Sequence, residues 1–376
     1  MIYMRFVIII MTRKVARARR FTADCQSGCQ GIAMKTCHYL PLVALLGLSL
    51  NATANDAPYR VAERLAIGGD GGWDYPSVDP STHLLYLSRA TRVTVVDTGS
   101  GKSIGEIPDT DGVHGIALAP ELNRGFISCG KANVVKVFDL KTRAVLASIG
   151  TGDGPDAILY EPSTQRVFAF NGRGKSATVI DAKNSTVVAT IPLAGKPEFA
   201  RADGRGNVFV NIEDTAELAR IDARSAVLKT RWPLPKCEEP TGLALDAAHH
   251  RSFSTCGNQI LAVTNLDSGR SVASVPIGKG VDGGEFDPAT QNVFSANGEG
   301  TITIVHEVAP DQYTVQQTLS TQRGARTIAL DASTHRLYLP TAELSPLAPA
   351  TAENPHPRPT PIAGTFVVLV VLQNSH

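Results

Sequence analysis

The chain has 376 residues, of which 43% are hydrophobic, 6% aromatic and 19% charged, with 33 Gly and 23 Pro. That composition is globular and excludes a disordered tail, a collagen and a polytopic membrane protein, while the length allows one large all-β domain or two to three ordinary ones. The formal charge of +1, from 36 Lys and Arg against 35 Asp and Glu, favours no partner class as it stands.

At the N-terminal end, Met34-Lys35-Thr36-Cys37-His38 followed by the mostly apolar run Tyr39 to Leu50 has the layout of a secretory signal, and Ala52-Thr53-Ala54 supplies a small-x-small cleavage site. Cleavage is expected after Ala54. The run is too short to span a bilayer, which needs roughly 20 apolar residues, and no Cys stands at the cut to carry a lipid. Residues 1–33 read either as a long n-region or as a start assigned too early, with Met34 the initiator; the second reading is preferred. Residues 1–54 hold seven basic side chains and one acidic one, so the rest has 29 basic and 34 acidic groups and a formal charge of −5. A mildly acidic mature chain argues against general nucleic-acid or anionic-membrane binding. The expected location is the periplasm, with no membrane anchor in the mature chain. Three cysteines would reach that disulfide-permissive compartment, Cys129, Cys237 and Cys256.

Beyond the leader the chain repeats. An aromatic residue recurs after a turn at Tyr86, Phe126, Phe168, Phe209, Phe253, Phe294 and Tyr338, with spacings of 40, 42, 41, 44, 41 and 44 residues. Each unit then carries an alternating segment that ends in a polar residue, as in Val93-Thr94-Val95-Val96-Asp97 and Val135-Lys136-Val137-Phe138-Asp139; Asn265 and His306 stand where Asp is expected in the fifth and sixth units. Period-2 alternation between Gly, Pro, Asn and Asp clusters predicts four short strands per unit, and no segment predicts an amphipathic helix. Seven such units over residues 55–376 predict a single all-β domain, a seven-bladed β-propeller. The last unit offers only three strands, Arg326 to Leu330, Arg336 to Leu339 and Phe366 to Leu372, while an unassigned strand, Tyr59 to Ile67, precedes the first unit. Adding the N-terminal strand to the C-terminal blade would complete it and cover an exposed edge.

Units with Asp-Pro near the first turn, an aromatic after it, Val-x-Val-x-Asp, Ser-Gly-Lys and an x-Ile-Pro-x-Gly exit resemble the YVTN-repeat, YncE-like family of exported bacterial β-propellers. The resemblance covers roughly residues 58–373 and implies the fold but no single shared reaction. Asn265, His306 and a Pro-rich interruption at 342–364 depart from the pattern.

In a propeller the innermost strand of each blade lines an axial channel, and ligands gather at its mouths. Aligning the units at the entry to that strand places Asp74, His114, Asp156, Glu198, Thr241, Asp282 and Arg326 at equivalent positions. Like charges around one axis need a cation, protons or an opposing group to offset them. A divalent cation would suit: Ca²⁺ for an all-carboxylate subset, a transition metal if His114 joins, with Asp156, Glu198 and His114 the leading candidates. The alternative is a water-filled channel with solvated polar walls. His83, His249, His250 and His335 fall in the turn before the second strand and match no zinc pattern, and His306 is explained by a local hydrogen bond. Cys237 lies in the connection entering the fifth blade and Cys256 at the end of that blade's second strand, on the same face of the propeller, so a disulfide between them is expected as a candidate and Cys129 is left free. The 342–364 segment should emerge on the face that carries the ring, either as a flap or partner-binding arm or as a solvated excursion.

No Gly-x-Ser-x-Gly, Walker A, Rossmann or CxxCH motif occurs in the mature chain, so no catalytic residue is assigned. The favoured expectation is a monomeric periplasmic propeller that binds a small molecule or another periplasmic protein. Its alternatives are a metal-assisted hydrolase of lactonase type or a cofactor-dependent oxidoreductase, and, least favoured, a nucleic-acid-binding protein.

Overall fold

Short alternating segments set between turn-forming residues have one apolar face each, and such strands are stable only in sheets that bury it. The computed structural model describes residues 58–374 except 348, 350, 352–356 and 358, and contains seven four-stranded antiparallel sheets. The leader assigned above to residues 1–33 and 34–54 lies outside the described residues. Blade 1 runs from inner to outer strand through Pro76–Asp79, Leu84–Arg89, Arg92–Asp97 and Lys102–Ile107. Blades 2 to 6 repeat that order over 113–150, 155–192, 197–233, 240–276 and 281–320. The inner strands adjoin one another in a closed circle, so the fold is a seven-bladed β-propeller. Helical residues among those described are confined to two short 3-10 turns, Pro120–Leu122 and Glu213–Thr215, and no helix there is long and apolar enough to cross a membrane.

Blade 7 joins the two ends of the domain. Its strands are Ala329–Asp331, Arg336–Thr341, Val367–Gln373 and, on the outside, Tyr59–Ala66. The N-terminal strand pairs antiparallel with its partner from Tyr59 opposite Gln373 to Ala66 opposite Val367. Tyr59 also reaches blade 6: its ring meets Phe294 edge-on at 5.3 Å, its hydroxyl accepts from Asn292, and its backbone N–H and C=O both bond the Gln317 amide. The first strand of this blade is shorter than Arg326 to Leu330. Pairing begins only at Ala329, because Thr327 turns aside to donate to the Asp74 carbonyl of blade 1 and Arg326 extends toward Asp282.

The recurring aromatics fill the seams between blades. Tyr86, Phe126, Phe168, Phe209, Phe253, Phe294 and Tyr338 are all buried. Phe294 of blade 6 packs with Leu337, Leu339, Leu369 and Val371 of blade 7, and Tyr86 of blade 1 meets Phe138 of blade 2 at 5.8 Å. The Asp-Pro motif has a different origin. Buried carboxylates at the ends of inner strands accept from the turn that follows, as Asp79 does from Ser81 and Thr82 and Glu161 from Ser163 and Thr164. Asn265 holds its turn as Asp does elsewhere, its Oδ1 accepting from the N–H groups of Asp267 and Ser268. His306 does not stand at a turn. Its strand continues to Ala309 and pairs with Gln312–Ser320, so the outer hairpin of blade 6 is longer than the others, and His306 bonds Asn292 across the sheet at 2.9 Å.

Cys237 and Cys256 form a disulfide with Cα atoms 5.4 Å apart, while Cys129 is buried and free. Closing a loop of this size stabilises by about 3 kcal/mol in the chain-entropy picture, so Cys237→Ser/Cys256→Ser should lower stability by roughly that amount in urea titrations. Tyr59→Ala removes a buried ring and strands the Asn292 amide; a loss of about 3–5 kcal/mol is expected at unchanged denaturant slope.

Candidate functional site

The inner strand is hydrogen-bonded on one side only, and in blades 2 to 6 its register breaks near the start: between Val113 and Ile116, Pro155 and Ile158, Pro197 and Ala200, Pro240 and Leu243, and Val281 and Gly283. His114, Asp156, Glu198, Thr241 and Asp282 all lie inside those breaks. A bulge there re-aims a side chain that regular pleating would send elsewhere. Hydroxyls and amides from neighbouring strands cover carbonyls along these inner strands: Ser128 donates to the Asp156 carbonyl, Ser77 to Ile116, and Asn211 to Thr241 and Gly242.

The seven aligned residues do not form a uniform ring. Asp74, His114 and Asp156 make one group, with His114 Nδ1 at 2.7 Å from Asp74 Oδ2 and 3.4 Å from Asp156 Oδ1. Asp282 and Arg326 make a second, with Nε donating to Oδ2 at 2.7 Å while the guanidinium reaches toward the Trp73 carbonyl and ring. Glu198, only 8% exposed, belongs to a third, its Oε2 3.3 Å from Lys196 Nζ, which Glu213 shares. Thr241 joins none of them, because its hydroxyl is turned to the backbone carbonyls of Val281 and Thr255.

Lys196, Glu213 and Tyr75 escaped the alignment. Lys196 sits two places before Glu198, on the connection rather than the strand, and Glu213 follows the second strand of its blade. Tyr75 did leave a signal. The position after each aligned residue holds Gly115, Ala157, Gly242, Gly283 and Thr327 in five blades, but Tyr75 and Phe199 in the other two. Small residues are needed where inner strands crowd together: a Cβ on Gly242 would lie 2.7 Å from the backbone of Gly283 and Gly284. The space they leave on the axis is taken by the two rings, which meet edge-on with centroids 4.7 Å apart. Tyr75 is buried and its hydroxyl points to Glu198 Oε1 at 3.5 Å. The pair bridges the circle from blade 1 to blade 4 and plugs the channel one residue along from the charged positions Asp74 and Glu198.

This packing perturbs several of the groups it encloses. Burial raises Glu198 to about 8, aided by the Asp156 charge, and the shared Lys196 opposes the rise only in part. Burial and the Asp74 charge raise Asp156 to about 6 against the pull of His114. Burial alone would lower His114, but the hydrogen bond to Asp74 and the charges of Asp156 and Asp74 outweigh it and hold the imidazole near 9. Asp282 is raised by burial and by Asp74, opposed by Arg326, and the Tyr75 phenol is pushed well up by burial and by the surrounding carboxylates. At neutral pH the site therefore carries a protonated His114 between two carboxylates and a largely neutral Glu198.

The interrupting segment of the last blade starts beside this mouth. Its base is a small ladder, Leu344 opposite Pro361 with Ser345 N–H donating to Thr360, and Leu344 packs in the cluster that holds Trp73. Elsewhere, His83, His250 and His335 occupy left-handed positions in the turns. His249 does more than fill a turn, because Asp246, His249 and Glu307 bring one ligand atom each within 4.8 Å of the others.

No family model matches the chain, and no curated protein does. Solved structures do. The chain is similar to the hydrazine synthase of Kuenenia stuttgartiensis, with TM-score 0.63 and 14% identity over 78% of this chain and 95% of that one. It is also similar to U3-55K, with TM-score 0.67 and 11% identity over 84% of this chain and 98% of that one. At these identities the likeness concerns the propeller fold alone.

A carboxyl or imidazole whose pKa is higher folded than unfolded holds its proton longer in the native state. Its stabilisation is full at low pH and is lost as pH rises through the folded value. Glu198 and His114 act in the same sense, over about 4.5 to 8 and about 6.5 to 9. The melting temperature should therefore fall from pH 5 to pH 9, and Glu198→Gln should flatten the part below pH 8; a wild-type profile that rises over this range would contradict the charge arrangement.

Proposed function

We propose that this chain is an exported propeller of the YVTN-repeat kind that works by binding, with a divalent transition-metal cation or a ligand carried by one at the charged mouth of the channel. The observation that supports it is the placement of His114 Nδ1 between Asp74 and Asp156, with one ligand atom from each residue within 4.8 Å of the others. One imidazole and two carboxylates form a mixed N/O donor set that suits such an ion, which would replace the proton now shared there. Glu198 stands close enough for its charge to act on His114, and the His114, Asp74 and Asp156 side chains all stay partly exposed. The basic leader and the Cys237–Cys256 disulfide support an oxidising compartment such as the periplasm. The acidic balance of the chain after residue 54 favours a cationic ligand over nucleic acid. The 342–364 segment, whose base at Leu344 packs with Trp73, is the part we assign to contact with a partner protein.

A second reading, a metal-assisted hydrolase of lactonase type, is favoured by one observation: Glu198 keeps its proton near neutral pH and so can serve as an acid beside an open cation site. Lactone turnover that depends on added metal and is abolished in Glu198→Gln would select it over simple binding.

Because His114 must lose a proton to accept the ion, apparent affinity for Zn²⁺ or Mn²⁺ should rise about tenfold per pH unit between pH 6 and 8 in calorimetric titrations. Asp74→Asn and Asp156→Asn should each weaken binding by at least about tenfold. Metal-free protein that shows no saturable binding at pH 8 would remove the cation from this proposal.

A further inference from the structure

Tyr75 and Phe199 of the plug also line a cavity of about 360 Å³, whose other residues lie further along the inner strands than the aligned carboxylates. Its walls come from later positions of the same inner strands and mix apolar residues, Ile116, Leu118, Ile158 and Phe199 among them, with polar groups that include Ser77, Arg201 and Glu285. One ionic pair faces it. Arg201 of blade 4 crosses to Glu285 of blade 6, Nη2 donating to Oε1 at 2.6 Å, with Nε fixed on the Leu243 carbonyl at 3.1 Å and the guanidinium carbon 4.7 Å from the centre of the Phe199 ring. The same pair lines a smaller space of about 240 Å³ on its other side, so it spans the channel.

The pair is held rigidly but is not used up. Among the described residues, Arg201 Nη1 and Glu285 Oε2 take part in no hydrogen bond, and neither is sealed from the cavity. The two residues of one ion pair thus keep a free donor and a free acceptor at the wall of a space large enough for a small organic molecule. The charges of Arg201 and Glu285 cancel, so neither ionic form of a ligand gains a net counter-charge there. A lone anion would lose hydration beside the fixed Glu285 carboxylate, and a lone cation beside the fixed Arg201 guanidinium.

We propose that this cavity binds a small uncharged compound with a flat ring body, set against the Phe199, Ile158 and Leu118 part of the wall, and an amide-type edge. The carbonyl would accept from Arg201 Nη1, and the adjacent N–H would donate to Glu285 Oε2. Such an edge satisfies both free polar atoms at once, whereas a carboxylate satisfies only the arginine and an ammonium only the glutamate. The site is independent of any cation at the other mouth.

Benzamide, benzoate and benzylamine are nearly the same size and differ in charge, so titrating the purified protein with each, by calorimetry and ligand-observed NMR, tests the assignment. Benzamide should saturate and bind at least about tenfold more tightly than either charged analogue. Arg201→Lys, which keeps the charge but loses the second donor arm, should weaken benzamide by about tenfold, and Leu118→Trp should fill the space and abolish binding. Asp74→Asn should leave it unchanged. Should Arg201→Lys fail to fold, Leu118→Trp decides alone. Equal binding of the three probes, a preference for benzoate, no saturation, or benzamide binding unaffected by these cavity variants would overturn the proposal.

Discussion

A circle of seven sheets can exist only if its last seam is made, and here that depends on one pairing, Tyr59–Ala66 against Val367–Gln373. Every other blade is built from consecutive chain, so its hydrogen bonds are local and form without reference to the rest. The terminal pairing joins residues some 300 positions apart and carries the loop-closure cost of the whole domain, which grows only slowly with length. In return it converts an open stack with two bare edges into a ring in which each blade is packed on both faces. The axial geometry follows. Inner strands converge until side chains no longer fit beyond small ones, and what remains at the centre is decided by the few positions that are not small.

Those positions determine the electrostatics. Four carboxylates, Asp74, Asp156, Glu198 and Asp282, would repel one another in so confined and half-buried a place. The chain offsets the repulsion in three different ways: a protonated imidazole between two of them, a guanidinium on another, and a shared ammonium together with a retained proton on the fourth. Only the first of these is readily exchanged for a metal ion, because an imidazole can give up its proton and an arginine cannot. Chemical versatility is thus concentrated in one sector of the mouth.

The fold was legible in the sequence because each repeat solves the same packing problem with the same residue. Tyr86 and its six counterparts fill equivalent seams, and their spacing reports the blade length directly. The entry positions of the inner strands were legible for the same reason. Their pairing was not. Whether Asp282 faces Arg326 or Asp74 depends on bulges and on side-chain reach around a circle, neither of which repeats along the chain. Lys196 and Glu213 stay hidden because they approach from connections, outside the aligned strands. Tyr75 was detectable in principle as a large residue in a column of small ones, a contrast that becomes meaningful only once the column is known to lie on an axis. The extended hairpin at His306 was masked by the habit of the other units, which turn at that point.

That hairpin makes the seven sectors of the propeller distinguishable from outside. A ring of near-equivalent blades offers an approaching molecule seven almost degenerate orientations. The prolonged strands Thr301–Ala309 and Gln312–Ser320 break the degeneracy at the rim, much as a notch indexes a wheel. Anything that grips this projection acquires a fixed rotational phase relative to the axis, and hence a defined angular position over the His114 sector.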